Sequence, residues 1–514
     1  MIGSILGCYF TYLAGLKASQ SLHSKLLNNV IRLPISFFNT TPIGRLLNRF
    51  SDDIRCIDID LPKQIKDLPA EVVDILIALC YCTYVTPILL LPIFPCISAF
   101  IYIQRYNIKC SRQLRKLFQV AKSPIYSNYS ESLAGPSSIR AFNKQEYYIQ
   151  KNEYYRDVWE TRHMSLYLDH HWLRVRLSFI QQFLISAQAL FTVMAKGKLS
   201  SSDVGLAMYY GRLFINTFED LINKVTNLEN QVVAVERVEE YCNLPTEGAL
   251  YQENLRKSWP NLGKIDFKNY SSKYYKSENL ALNNINLTIN QGEKVGIVGR
   301  TGAGKSSLTL SLFRLLEAIE GQIIIDGMDI KKVGLAQLRS RLTIIPQDPL
   351  LFSGSLRYNL DPTAESTDNK TKHADEYLCS VLKAVNINDQ NFISNSSQKG
   401  TDILNFQIKE NGENISVGQR QLICLARALV RKSKILILDE ATASVDPMTD
   451  KILQETIREQ FMDCTVLTIA HRIETILDYD RVMVLDRGEV VEFDEPDKLL
   501  DDKSSLFYSL CEKR

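Results

Sequence analysis

Between Asp74 and Arg105 the chain runs for thirty residues, Ile75 to Gln104, without a charge. As one helix that run would reach about 45 Å at ~1.5 Å per residue, far beyond a ~30 Å hydrocarbon slab. Pro87, Pro92 and Pro95 stand in its middle, and a proline inside a helix removes a hydrogen bond and clashes with the preceding turn. The run is therefore predicted to be two membrane helices joined by a tight turn around Pro87–Pro95, because backbone facing lipid must be satisfied within its own helix. Met1–Leu16 and Leu177–Ala195 are also uncharged, and Val204–Phe218 is interrupted only by Arg212. Five spans result, in an all-α transmembrane domain.

The intervening segments set the orientation. Gln20–Lys66 carries seven Lys/Arg and Arg105–Arg176 carries thirteen, while the turn around Pro87–Pro95 has none. Both basic segments are expected on the cytosolic side by the positive-inside tendency, as long helical extensions of the spans. No basic region precedes the first apolar stretch, so a signal peptide is not indicated. The start reads as a helix entered partway along its length, as if the chain began downstream of a natural start. Sequons such as Asn39, Asn128 and Asn414 fall on cytosolic parts and are expected to stay unmodified.

At 514 residues the chain exceeds a single core. The apolar runs end near residue 240, and the composition thereafter is that of a soluble α/β domain. We expect a membrane domain over 1–240, a linker over 241–262 and a nucleotide-binding domain over 263–514. A net charge of +2 gives no electrostatic case for nucleic acid. Eleven cysteines show neither metal nor disulfide spacing. Cys80 and Cys82 suit packing in an apolar run, and Cys424 suits a reduced cytosolic setting.

The second half holds the chemistry. "KVGIVGRTGAGKSSL" is an apolar strand, a loop Gly299-Arg300-Thr301-Gly302-Ala303-Gly304-Lys305-Ser306-Ser307, and the start of a helix. Glycines let backbone N–H groups wrap phosphates at a helix N-terminus. Lys305 is placed to reach the terminal phosphates, and the Ser306 hydroxyl to ligate Mg²⁺. "KILILDEATASVD" is a buried strand ending in Asp439 and Glu440, a metal carboxylate followed by a general base. "TVLTIAHR" ends another strand near His471, and "LTIIPQD" ends a third near Gln347. These are the strand ends where ligands collect in doubly wound sheets. His471 is expected on the γ-phosphate, and Gln347 on the metal or the lytic water. A second glycine turn, "ENISVGQRQ", precedes a helical run, although a complete phosphate loop already exists upstream.

The ordered set "GRTGAGKSS", "IIPQDPLLFSGSLRYNLDP", "ENISVGQRQ", "ILILDEATASVD" and "TIAHR" resembles the ATP-binding cassette transporters. "SVGQRQLICLARAL", "VAVERVEEY", "FFNTTPIGRLLNRFSDD" and "SIRAFNKQ" look like the C-terminal half of the multidrug resistance-associated, or C, subfamily, so the resemblance spans nearly the whole chain. It implies a multidomain chain, with the membrane helices followed by an α/β P-loop ATPase with a helical signature subdomain. It implies that Ser416, Val417, Gly418 and Gln419 close over ATP held by a facing nucleotide-binding domain, so this chain needs a partner. Val417 stands where many cassettes have glycine, a variant typical of the subfamily. The resemblance also implies Tyr274 as the adenine-stacking aromatic, with adjacent Tyr275 as the alternative. Asp446 would communicate across the domain pair, and coupling helices would lie near Thr40–Asp52 and Gly135–Phe142. With Glu440 present, the site on Lys305 would be the hydrolytic one.

Implied cofactors are ATP and Mg²⁺. The implied function is ATP-driven export of organic anions, conjugates or drugs through a lipid bilayer, with the plasma membrane expected. A regulatory or channel-type role, or a fragment that binds ATP without transporting, stays open beside it. Arg212 either contacts anionic cargo or pairs with Glu219 or Asp220, since an arginine inside a span costs about 2.5–3.5 kcal/mol unless it faces water or a partner.

Overall fold

The computed structural model describes residues 2–194, 200–252, 256, 258–275, 277–362, 375–387, 403–439, 447–470 and 472–512. Two compact units form: Met1–Ile31 with Ile43–Leu244, and Arg32–Pro42 with Pro245–Arg514.

The first unit is helical. Its five long helices are α1 (Ile2–Val30), α2 (Leu61–Val85), α3 (Leu90–Ala134), α4 (Gln145–Met194) and α5 (Ser201–Cys242). They stand where the five spans are expected. Two stretches, within 43–85 and 145–194, are long and apolar enough to cross a membrane by length and composition. With 45 and 50 residues, α3 and α4 extend about 68 and 75 Å at ~1.5 Å per residue, over twice the hydrocarbon thickness. Leu91, Phe94, Phe179 and Val193 are more than two-thirds exposed, an outward apolar surface that suits lipid rather than water.

The turn between α2 and α3 is tighter than expected. It consists of Thr86 and one 3₁₀ turn, Pro87–Leu89, whereas Pro92 and Pro95 lie within α3. Pro92 is the third residue of that helix, where the N–H has no intrahelical acceptor, so its ring breaks nothing. The buried Gln188 of α4 donates to Thr86 Oγ1 at 3.3 Å, giving a polar group in apolar surroundings the partner it needs. Short helices Ile43–Asn48 and Pro136–Ala141 occur within the two segments expected to couple. Two π-helical turns, Arg49–Asp53 and Cys56–Asp60, follow the first of them. There the buried Asp53 accepts from Arg49 Nη1 at 2.9 Å and from Arg237 Nη2 of α5 at 2.7 Å.

The second unit is α/β. Its strands are β1 (Ile265–Ser272), β2 (Leu282–Ile289), β3 (Lys294–Gly299), β4 (Ala318–Ile325), β5 (Leu342–Ile345), β6 (Ile435–Asp439), β7 (Thr465–Ile469), β8 (Arg481–Asp486) and β9 (Glu489–Asp494). An antiparallel sheet runs β2-β1-β4, extended by Met328–Asp329. A second sheet runs β9-β8-β3-β7-β6-β5 and is parallel except for the β8–β9 pair, and a two-stranded one pairs Gly354–Ser355 with Gln407–Ile408. Strand β7 is buried throughout, and β3 and β6 except at their ends, which is why they read as apolar-rich segments rather than alternating ones.

Helix α6 (Lys305–Leu312) follows β3. A separate apolar core joins Leu378 and Leu382 of α7 (Asp375–Ala384) to Leu422, Ile423 and Leu425 of α8 (Val417–Arg431), forming the helical subdomain. Part of the expected linker is bonded to this unit. Ala249 and Leu250 carbonyls accept from Leu335 N and Ala336 N at 2.9 and 3.0 Å, and Glu247 pairs with Arg339 at 2.6 Å.

Candidate functional site: a phosphate loop at a sheet edge and a second loop heading a helix

A parallel sheet places the C-terminal ends of its strands along one edge, and the register shows which residues meet there. Ile469 of β7 stands opposite both Ile297 of β3 and Asp439 of β6. Leu438 of β6 stands opposite Ile345 of β5. The loop leaving β3, the carboxylate ending β6 and Gln347, two residues past β5, therefore share one edge, although Gln347 lies 42 residues after Lys305 and 92 before Asp439.

The loop after β3 is shaped by its glycines. Gly299 has φ 156° and Gly304 has φ 104°; a Cβ would lie 2.3 Å from the Leu485 carbonyl oxygen at the first and 2.8 Å from that of Ala281 at the second. Neither position admits a side chain. Between them Ala303 is buried, and Arg300, Thr301 and Gly302 face solvent. Lys305 opens α6, and its Nζ donates to the carbonyls of Gly299 at 2.7 Å and Arg300 at 3.2 Å, folding the ammonium over the loop. Ser306 is exposed, whereas Ser307 is buried. Tyr274 Oη lies 3.0 Å from Ser307 Oγ, tying that ring to α6. Its neighbour Tyr275 is 66% exposed against 39% for Tyr274.

These residues fit a nucleotide phosphate: a glycine turn without room for Cβ, a helix N-terminus and a poised ammonium. For Mg²⁺ the offered donors are oxygens, from Ser306, Gln347 and Asp439, the hard type that cation takes. Among the described residues no three of His, Cys, Asp and Glu form a metal cluster. Glu440, Asp446 and His471, singled out from the sequence, lie outside the described residues.

The second glycine turn heads α8. Ser416 is its N-cap: Ser416 Oγ accepts from Gln419 N at 3.2 Å, and Gln419 Oε1 accepts from Ser416 N at 2.9 Å. This reciprocal capping box satisfies two otherwise orphaned donors and fixes the start of the helix. Ser416 and Val417 are exposed and Gly418 is buried. The polar start of α8 thus faces outward while its body is held in the subdomain core.

Sequence reasoning missed how α8 is bolted to the Gln347 segment. Gln421 Nε2 donates to the Pro346 and Gln347 carbonyls at 3.2 and 2.9 Å. Arg427 Nη1 donates to the Leu350 carbonyl at 2.8 Å, and its Nη2 to Asn359 Oδ1 at 2.7 Å. Burial pushes the nearby Cys424 thiol above its ordinary range, with the Arg427 charge opposing; none of the eleven cysteines is in a disulfide among the described residues.

The helical unit contains a cavity of about 650 Å³ between α3, α4 and α5. Arg112, Arg115, Lys116, His170 and Arg237 line it, opposed by Glu229. The signal was available in "SRQLRK", whose three cations at i, i+3 and i+4 share one helix face. Arg212 is exposed, does not line this cavity and forms no ion pair with Asp220 among the described residues; the Glu219 side chain lies outside them.

Known proteins carry the same two parts. Residues 1–218 match the ABC transporter transmembrane region and residues 282–443 the ABC transporter domain. The chain is 42% identical over 510 residues to Multidrug resistance protein mrp-7 of Caenorhabditis elegans, covering 97% of this chain and 33% of that protein. Identity to Bile pigment transporter 1 of Saccharomyces cerevisiae is 45% over 512 residues, covering 97% and 32%. To ATP-binding cassette sub-family C member 3 of Mus musculus it is 43% over 505 residues, covering 98% and 32%. The chain spans about a third of the length of these relatives. With a helical membrane region, a phosphate loop, a capped signature helix and this similarity all in one order, the chain belongs to the ATP-binding cassette transporters, among the multidrug resistance-associated C subfamily.

Proposed function

We propose that this chain is the ATP-hydrolysing half of an exporter that moves organic anions, conjugates or drugs out of the cytosol, across the plasma membrane. One observation carries it. The phosphate loop, Asp439 and Gln347 share one sheet edge, while Ser416 caps a different helix and faces solvent, which supports a second loop that serves a phosphate held elsewhere. Lys305 and the loop N–H groups hold the β- and γ-phosphates, and Tyr274 stacks on adenine. Ser306, Gln347 and Asp439 would hold Mg²⁺, which when bound neutralises phosphate charge. Glu440 takes the proton of the attacking water, and His471 contacts the γ-phosphate. A second nucleotide-binding domain supplies the loop that covers this site, and Ser416–Gln419 covers the partner's. Closing around two nucleotides is differential affinity for the joined state, and the short helices at Ile43–Asn48 and Pro136–Ala141 carry that motion to the spans. The basic cavity supports anionic cargo, as do relatives named for bile pigments and multidrug resistance.

The test places the chain with a complementing half in inside-out vesicles and follows an anionic conjugate. Vanadate-sensitive, ATP-dependent uptake that disappears in Glu440→Gln, with ATP trapped, is expected. ATP-dependent current without uptake would identify a gating protein instead.

A further inference from the structure

Gln421 is 1% exposed, and both of its amide hydrogens are committed to main chain, one toward Pro346 O at 3.2 Å and one toward Gln347 O at 2.9 Å. Its Oε1 is buried and accepts no hydrogen bond among the described residues. Packing alone does not explain this choice. A leucine would fill the same space without a buried acceptor left unmatched, a state native structures avoid. What the amide adds is orientation: two donors set a fixed angle apart hold two successive carbonyls, and so hold the peptide plane that precedes the Gln347 side chain. The far end of the same segment is held independently. Arg427 donates to Leu350 O at 2.8 Å and to Asn359 Oδ1 at 2.7 Å, and Asn359 exchanges bonds with Phe352 N and O at 2.9 and 2.8 Å. Residues 346–352 are thus fastened to α8 at both ends, and α8 is the helix that Ser416 caps only five residues before Gln421.

We propose that Gln421 is a positioning residue for ATP hydrolysis. It fixes the 346–347 peptide to the signature helix, so that Gln347 at this chain's own nucleotide and Ser416–Gly418 at the facing one move as a single piece. The proposal rests on the function above, in which Gln347 meets the metal or the lytic water. It assigns Gln421 a duty that neither loop has alone: a shift of α8 on contact with the partner's phosphate displaces Gln347, and the reverse.

The experiment uses the full chain in detergent, with trinitrophenyl-ATP binding measured in Mg²⁺ and in EDTA, and with Gln347→Ala as the reference. Gln421→Leu is expected to cut the Mg²⁺-dependent gain in affinity about tenfold while Mg²⁺-free affinity stays within about twofold. Amide exchange over 346–351 should quicken while that of α6 stays unchanged. Gln421→Glu keeps the shape and, once ionised, turns a donor toward two carbonyls into an acceptor, so it should show the same loss at high pH. It should regain part of the Mg²⁺ dependence as the pH falls, because burial raises the carboxyl's pKa and the protonated form donates one hydrogen bond again. That pH profile carries the test if Gln421→Leu fails to fold. Should Gln347→Ala lose Mg²⁺ dependence while both Gln421 variants keep it, the positioning role is overturned and the Gln347 assignment stands. Equal losses with and without Mg²⁺ would also overturn it, as a packing effect. If Gln347→Ala itself keeps full Mg²⁺ dependence, the assignment beneath the proposal falls.

Discussion

Ser416 is given two separable duties, and substitutions pull them apart. As N-cap it accepts from Gln419 N at 3.2 Å within a capping box; in the proposed clamp its hydroxyl would donate to a phosphate on a facing domain. Ser416→Ala removes both. Loss of the cap costs about 1 kcal/mol, which in a domain of this size lowers Tm by about 2–4 °C. Loss of a hydrogen bond to a charged group costs a further ~1.5–3 kcal/mol in the joined state, roughly 10- to 150-fold in ATP-dependent pairing. Ser416→Asp separates the terms. Aspartate caps as well as serine and is favoured by the helix dipole, so Tm should hold. Facing a phosphate, however, a carboxylate at ~4 Å and an effective dielectric of ~20 is repelled by about 4 kcal/mol, close to a thousandfold. The assay pairs thermal melting with MgATP-dependent association to a complementing cassette. If Ser416→Asp melts as early as Ser416→Ala, the capping geometry is wrong. If it associates like the unmodified chain, no phosphate lies opposite Ser416.

Other expectations concern the loop and the sheet beneath it. Lys305→Ala should weaken ATP binding about 10- to 100-fold by removing a charge-assisted contact, read by nucleotide titration. Gly296→Ala places a Cβ 2.8 Å from the Ile476 side chain against the central strand β3, and overpacking there should cost about 1–3 kcal/mol, visible as a lower Tm with Mg²⁺ dependence intact.

The phosphate loop was legible because its chemistry is local. A glycine turn, a lysine and a hydroxyl must be contiguous to wrap one phosphate, so their spacing is written in the chain. The spans were legible for a similar reason, since lipid penalises charge at every residue of a run. The α2–α3 turn falls at the start of the expected Pro87–Pro95 stretch because its prolines are not equivalent. Pro87 opens the 3₁₀ turn, whereas Pro92 falls in the first turn of a helix, where a missing N–H costs nothing.

Contacts of long reach were not legible. Gln421 read as one more polar residue after a glycine turn, yet its donors meet carbonyls 74 and 75 residues earlier. Arg112, Arg115 and Lys116 looked like part of a general basic segment until α4 and α5 enclosed them in a cavity.

The chain by itself determined which segments suit lipid and which loop suits phosphate, because both depend on residues adjacent in sequence. The tertiary fold decided which strand ends share an edge, which cations share a cavity and what grips the Gln347 segment. Those depend on strand order and helix packing, where distance along the chain carries no information about distance in space.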